Sequence, residues 1–176
     1  MALTWDREEA PRWDADKQRI ISGAPPGVFD IDHADGSPLP GDWWSARDEH
    51  TVVGYGWLDV AWGDAEILLA VDPQAQATGV GSFVLDNIEH EAAARGVNYV
   101  YNTVRATHPR RAEVQEWLQR RGFRGDDRDD TLRKRVRVRA TCSSVASTVP
   151  EFDEGVDMPP GHEESGGYVD AADHRY

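Results

Sequence analysis

The sequence predicts an α+β fold with three layers, in which helices cover both faces of a mixed, mostly antiparallel central sheet. Two observations lead to this prediction. Residues 43–71 contain three strand-like runs joined by short turns, as in an antiparallel meander. Residues 79–123 then alternate helix, strand and helix, a pattern that places helices against a sheet.

Bulk properties are those of a soluble globular chain. It has 176 residues, of which 39% are apolar and 29% charged, enough for one domain with a core. The N-terminus lacks a basic region followed by an apolar run, and no run is long enough to span a membrane. Cys142 is the only cysteine, which excludes an intrachain disulfide and a thiolate metal cluster. We therefore expect a cytoplasmic protein without a bound metal or a membrane partner.

The net charge of −13 disfavours nucleic-acid partners and favours a cationic small molecule or a basic peptide. Residues 105–139 are an exception, because they hold 12 Arg or Lys against 6 Asp or Glu. Nucleic-acid binding through this stretch is the weakest of three functional hypotheses, since the rest of the chain carries the opposite charge.

The first forty residues give the weakest pattern. Residues 8–21 predict a helix, because apolar positions recur at intervals of three and four. The glycines and prolines of residues 23–27 end it, and residues 28–31 predict a short strand. Residues 35–42 read as turns.

The middle of the chain is clearer. Strands are expected at residues 43–46, 52–59 and 65–71, with a tight turn at 63–64 and a stop at Pro73. In the third strand Ile67, Leu69 and Val71 share one face, and Glu66, Leu68 and Ala70 share the other.

Two helices follow, separated by a strand at residues 97–104. The first, at 79–95, has a buried stripe of Val80, Val84, Ile88 and Ala92. The second, at 109–121, ends before Gly122, and Phe123 begins a strand that pairs with 132–138 as a hairpin. Residues 140–176 are Ser/Thr-rich and then acidic, a composition that cannot bury enough apolar surface to fold. We place one domain at 1–139 and a disordered tail after it.

The segment 76–82 carries the chemical signal. It follows a buried strand and opens a helix, where unpaired backbone N–H groups lie at the positive end of the helix dipole. Glycines at 79 and 81 let a ligand approach that backbone, so the segment suits a pyrophosphate. Neither a P-loop nor a Rossmann fingerprint is present, and a tight turn without a ligand is the alternative.

These segments resemble the GNAT superfamily of N-acetyltransferases. Its members have a strand ending in Val-x-Pro, then Gln/Arg-x-x-Gly-x-Gly/Ala and a long helix. Here Val71-Asp72-Pro73 is followed by Gln76 to Gly81, and Gly122-Phe123 stands before the last hairpin. Residues 42–139 match the pattern best.

The resemblance implies that the sheet splays between the strands at 65–71 and 97–104 and takes acetyl-CoA in the opening. Pantetheine would bind the backbone near Leu69, Ala70 and Val71. The pyrophosphate would lie on Gln76, Ala77, Thr78, Gly79, Val80, Gly81 and Ser82. An acceptor amine would attack the thioester directly, without an acyl-enzyme, and a homodimer is compatible with the family.

Catalytic residues follow the family pattern less closely. Glu66 resembles the general-base glutamate of histone-type members, and a solvated glutamate is its alternative. Family members often protonate the thiolate with a tyrosine at the position of Leu118, and Arg111 replaces a common asparagine. Tyr99, Tyr101 and His108 are the possible substitutes, and of these we select Tyr101 and His108. Sheet packing for Tyr101 and helix capping for His108 are the alternatives.

The leading hypothesis is thus an acetyl-CoA-dependent N-acetyltransferase that acts on a primary amine of a small molecule or peptide. The second is a catalytically degenerate GNAT fold that binds acyl-CoA as a regulatory or interaction module, which the leucine at 118 motivates.

Overall fold

A computed structural model describes residues 2–29, 31, 33–125 and 130–137. One sheet holds six strands in chain order: β1 (Leu3–Glu8), β2 (Asp42–Asp48), β3 (Thr51–Ala61), β4 (Asp64–Val71), β5 (Tyr99–Thr103) and β6 (Thr131–Arg135). All neighbours pair antiparallel except β4 and β5, which pair parallel. The predicted mixed, mostly antiparallel sheet is confirmed.

The helices are short at the N-terminal end and longer after β4. They are α1 (Ala15–Lys17), which continues as a π-helical turn (Gln18–Ser22), a 3-10 turn (Pro73–Ala75), α2 (Val80–Ala94) and α3 (Arg111–Arg120). Among the described residues, none of these helices has both the length and the apolarity that a membrane crossing requires. The predicted tail at 140–176 lies outside the described residues.

The helix predicted at 8–21 is wrong in its first half. Residues 3–8 form β1 along β2, and the helix begins only after Asp14, whose side chain accepts the Lys17 N–H at 2.8 Å. Trp5 stacks on Trp44 of β2 with ring centroids 6.0 Å apart. That contact with a partner strand stabilises β1, and a pattern along the chain alone does not reveal it.

The strand predicted at 28–31 is also wrong, because residues 28, 29 and 31 are irregular in the structure. Phe29 and Ile31 nevertheless pack against the sheet. The segment is held by Thr107, whose hydroxyl donates to the Gly27 carbonyl at 2.8 Å. An apolar segment can thus cover a sheet face without joining the sheet.

Helix α2 covers one face of the sheet. Its predicted stripe of Val80, Val84, Ile88 and Ala92 is completely buried. Close packing depends on Gly56 of β3, where an added Cβ would lie 2.6 Å from the Ile88 side chain. The core on this side also takes Leu118 of α3.

The opposite face is covered by the N-terminal segment. Trp13, Ile20 and Ile21 are buried there against Tyr55 and Ala70 of the sheet. Helical residues therefore pack on both faces, which completes the three predicted layers.

Strands β4 and β5 separate soon after they meet. Only Ala65–Val100 and Glu66–Tyr101 are paired in register. At the next position the Asn102 side-chain amide donates to the Ile67 carbonyl at 2.8 Å, and the rest of β4 has no partner on β5. The predicted splay lies at this point.

The hairpin predicted after Gly122 is smaller than expected. Strand β6 pairs along β5, and on its other side it meets only Arg124, through a single bridge to Arg133. Residues 126–129 and 138 lie outside the described residues, so the end of the predicted hairpin is not among them.

Candidate functional site

A cavity of about 840 Å³ opens where β4 and β5 diverge. Its walls come from β4, the segment 76–82, the N-terminal segment around 24–31, and the β5–α3 connection with α3. Ten of the predicted site residues line it: Glu66, Leu69, Ala70, Val71, Gln76, Ala77, Gly79, Gly81, Ser82 and His108. The volume is that of an ordinary small-molecule site.

Three predicted site residues do not line the cavity. Val80 is buried in the core beneath α2. The Thr78 hydroxyl donates to the Ala75 carbonyl at 2.6 Å and so braces the loop. Tyr101 lies beside Glu66 in the sheet and is half-buried.

The loop before α2 turns with left-handed backbone at two positions, Ala77 (φ 62°) and Gly79 (φ 98°). The first hydrogen bond of the helix joins the Phe83 N–H to the Gly79 carbonyl at 3.0 Å. The amides of residues 80–82 therefore precede the hydrogen-bond ladder, as in any helix start. These donors and the positive end of the dipole suit an anion.

The glycines of this loop leave space that protein packing does not use. A Cβ at Gly79 would meet no atom within 4 Å, and one at Gly81 would touch Val71 and Trp117 only at 3.7 and 3.9 Å. Protein contacts thus do not require glycine at 81. A ligand that approaches the backbone supplies a reason for it.

Two arginines of the α3 region reach this loop. Arg110 donates to the Gln76 side-chain oxygen at 2.9 Å. Arg121 donates to the Ser82 hydroxyl, contacts Asp86 at 3.2 Å, and lies over the Trp117 ring. The sequence alone leaves two interpretations of these arginines, contact with the adenosine 3′-phosphate and a solvated helix face, and favours the second. Their separation of eleven residues, about three helical turns, is the signal that they share a side of α3.

Glu66 lies on the sheet face that the N-terminal segment covers. Leu68 and Ala70 share this face and belong to the apolar cluster there. Burial raises the pKa of the Tyr101 phenol, and the charge of its neighbour Glu66 raises it further. The phenol of Tyr101 therefore stays protonated at neutral pH.

His108 is held by the backbone at the start of α3. Its Nδ1 accepts the Arg110 N–H at 3.0 Å, so the neutral ring carries its proton on Nε2. Partial burial lowers the pKa of His108, and the charge of Arg110 lowers it further. The neutral imidazole presents a donor, and its acceptor nitrogen is already occupied.

No group of three His, Cys, Asp or Glu side chains within the described ranges is arranged to hold a metal ion. The chemistry that these residues offer is anion binding by amides and arginines at one end of the cavity and proton transfer at Glu66.

Comparisons with known proteins agree with this geometry. Residues 40–125 match the family model described as the acetyltransferase (GNAT) domain. A search of curated proteins finds no match.

Solved structures share the fold at low sequence identity. N-acetylglutamate synthase from Neisseria gonorrhoeae, complexed with coenzyme A and N-acetyl-glutamate, is 18% identical with a TM-score of 0.59, over 76% of this chain and 35% of that one. A putative GNAT acetyltransferase from Desulfovibrio desulfuricans is 17% identical (TM-score 0.57; 78% and 99% covered). The ribosomal-protein-S18-alanine N-acetyltransferase from Escherichia coli is 16% identical (TM-score 0.52; 77% and 94% covered).

Proposed function

We propose that this chain, whose residues 40–125 match the GNAT acetyltransferase domain, transfers an acetyl group from acetyl-CoA directly to a primary amine. The observation that carries the proposal is the anion-binding start of α2 at the wall of a cavity formed by two diverging strands.

The donor end of the cavity suits acyl-CoA in three respects. Amides of residues 80–82 face a pyrophosphate without a cationic side chain, and Arg110 and Arg121 add positive charge nearby. The backbone of residues 69–71 has no partner on β5, so the amide groups of pantetheine can pair with it as a strand would. Glycine at 81 leaves room for this approach.

Glu66 is our candidate for the general base. It lines the cavity on the face opposite to Leu69 and Val71, and so on the side from which an acceptor would enter. The ammonium of the acceptor gives a proton to the carboxylate. The nitrogen lone pair then forms a bond to the acyl carbon, the C–S bond breaks to release the CoA thiolate, and the nitrogen loses its second proton to solvent as the amide forms.

The thiolate then needs a proton, and Leu118 cannot supply it, because a leucine side chain has no ionisable group although it lines the cavity. Nε2–H of His108, at the cavity wall, and the protonated Tyr101 remain our candidates. A thiolate is a tolerable leaving group, so a missing acid slows turnover without preventing it.

A non-catalytic acyl-CoA-binding module is the second candidate function. It is favoured by Leu118 and by Arg111, which is bound to Asp130 at 2.7 Å and does not face the cavity. Both candidates require acyl-CoA binding, and only the first requires turnover.

The test combines calorimetric binding of acetyl-CoA with thiol release across a panel of primary amines. We expect acetyl-CoA to bind, and amine-dependent release to fall by about a hundredfold or more in Glu66→Gln while binding persists. Glu116→Gln is the matched control, because Glu116 is an exposed carboxylate of α3 whose ion-pair partner Arg120 does not line the cavity. Binding without release would establish the module, and absence of binding of any acyl-CoA would remove both candidates.

A further inference from the structure

The acceptor end of the cavity differs in character from the donor end. Strand β4 divides it, since Leu69 and Val71 face the α2 side whereas Glu66 and Leu68 face the N-terminal segment. On the latter side Trp57 of β3 is the register partner of Leu68. Both line the cavity together with residues of the N-terminal segment: Ile20, Pro25, Val28, Phe29 and Ile31.

From this we infer that the acceptor is a small monoamine with a hydrophobic body, whose ammonium meets Glu66 and whose body lies against Trp57, Leu68 and Phe29. The inference rests on the function proposed above and specifies its substrate class. The net charge alone led us to expect a cationic small molecule or a basic peptide. The inference restricts that expectation to a small molecule with a single ammonium group.

Charge within the cavity supports a single ammonium. Among the lining residues that the structure describes, Glu66 is the only carboxylate, and the basic ones, Arg105, His108 and Arg110, all come from the β5–α3 connection. A second ammonium on the acceptor would be transferred from water to an apolar wall, which is costly. A carboxylate at the far end of the acceptor would meet the same apolar wall and is disfavoured for the same reason.

The indole of Trp57 offers the acceptor an apolar surface, because its polar N–H group is already hydrogen-bonded. Trp57 uses its indole N–H to donate to the Pro40 carbonyl at 2.9 Å. Its ring packs beside Trp43, with centroids 6.4 Å apart, which fixes its orientation. A rigid apolar surface of this kind binds aryl or alkyl groups.

The N-terminal segment also limits the size of the acceptor. The hydrogen bond from Thr107 to the Gly27 carbonyl joins this segment to the β5–α3 connection, and residues of both segments line the cavity. A Cβ at Gly27 would lie 2.7 Å from the Thr107 carbonyl oxygen, so the two segments touch. Such a bridge admits a small molecule more readily than a lysine on a folded protein.

Net charge does not contradict this reading. A charge of −13 on the whole chain accelerates the encounter with any cation, whereas affinity depends on groups that the bound ligand touches. The acidic surface and the apolar pocket therefore act at different stages of binding.

The experiment titrates amines into the full-length chain loaded with CoA and measures heat. Three acceptors of one length are compared: hexylamine, 1,6-diaminohexane and 6-aminohexanoate. A lysine-containing peptide is the fourth. We expect hexylamine to bind at least about tenfold more tightly than each of the others.

A variant pair reverses the preference. Leu68→Glu places a second carboxylate on the wall and should improve binding of 1,6-diaminohexane relative to hexylamine by about tenfold or more. Val60→Glu is the control, since Val60 is 46% exposed on β3 and does not line the cavity, and it should leave the ratio unchanged.

Equal or tighter binding of the diamine or the peptide would overturn the inference, as would the absence of amine binding to the folded chain. The same titrations without CoA test amine binding separately from binding of the acyl donor. Amine selectivity without acetyl-CoA binding would remove the proposed function and leave the apolar amine pocket standing. Acetyl transfer that prefers the diamine or the peptide would support the proposed function and overturn the apolar amine pocket.

Discussion

At the scale of single residues, His108 has a role that its position near a cavity does not reveal. Its Nδ1 caps the Arg110 N–H, and burial with the neighbouring Arg110 charge lowers its pKa below the ordinary 6.5. The folded state therefore binds this proton less readily than the unfolded state. The resulting stability is complete above about pH 6.5 and is lost as the pH falls towards the lower folded-state pKa.

His108→Asn keeps an acceptor for the Arg110 N–H and does not titrate. We expect wild type to lose stability relative to this variant when urea unfolding is measured from pH 7.5 down to pH 5. A difference in unfolding free energy that stays constant over this pH range would contradict the role of His108 as a helix cap. A fall of about a hundredfold in kcat, with the fold intact, would instead identify the ring as the proton donor.

Gly79 and Gly96 allow a matched test of the anion site. Both have left-handed backbone (φ 98° and 70°), stand just beyond opposite ends of α2, and have open space at Cβ. Alanine at either position should cost about 1 kcal/mol of unfolding free energy. Only Gly79→Ala should weaken acetyl-CoA binding in calorimetry, and equal weakening in both variants would remove the loop from the donor site.

The residues of the α2 start were the ones that the sequence could place, because their signal is local. The buried stripe, the glycines and the strand before them all lie within about 30 consecutive residues. Arg110 and Arg121 were assigned to a solvated face, since their partners Gln76 and Ser82 come from another part of the chain. Contacts between distant segments leave no local pattern.

At the scale of elements, the divergence of β4 and β5 depends on a side chain. Asn102 donates to the Ile67 carbonyl at 2.8 Å, and so replaces the strand hydrogen bond at the point of separation. It fixes where pairing ends and thus how much of β4 is left for a ligand.

Asn102→Ala should lower the unfolding free energy by about 1 kcal/mol. It should also weaken acetyl-CoA binding by about fivefold, the change that a similar loss of ordering energy implies. Asn87→Ala is the control, because Asn87 likewise donates to a backbone carbonyl, that of Phe83 at 2.8 Å, within α2. Unchanged acetyl-CoA affinity in Asn102→Ala would show that the separation of β4 and β5 does not depend on this hydrogen bond.

The elements that the sequence misassigned are those that depend on a partner. Residues 3–8 became β1 because β2 offers an edge and Trp44 offers a stacking surface. Phe29 and Ile31 had the composition of a strand but cover the sheet face without joining the sheet. The sequence pattern shows which segments are suited to a strand, but whether a segment pairs depends on the strand that lies beside it.

At the scale of the whole molecule, charge is arranged in local pairs. Basic residues of the α3 and β6 region contact nearby acids: Arg111 with Asp130 at 2.7 Å, Arg120 with Glu116 at 2.9 Å, and Lys134 with Glu89 at 2.5 Å. Asp130 and Glu116 are already counted among the six acids of residues 105–139, so of these three acids Glu89 alone lowers the local excess of positive charge further. Pairing also leaves these cations less available for phosphate contacts, which weakens the case for nucleic-acid binding. A measured affinity for duplex DNA would reverse this conclusion if it rose steeply as the salt concentration was lowered.

The folded domain is predicted to end at residue 139, before the Ser/Thr-rich and then acidic residues 140–176. Their composition predicts that they contribute no core, so the chain shortened to 1–139 should fold with an unchanged midpoint in urea. Saturation with acetyl-CoA at about 100 times its dissociation constant should stabilise both forms by about 2.7 kcal/mol.

The two measurements separate two roles of the tail. A lower midpoint in the shortened chain without ligand would mean that residues 140–176 pack on the domain. An equal midpoint with a larger acetyl-CoA effect in the shortened chain, measured at one fixed ligand concentration, would mean that residues 140–176 weaken acetyl-CoA binding. Because like charges repel, an acidic segment is expected to weaken the binding of a polyanionic ligand, and calorimetry on the two forms determines the sign of the effect.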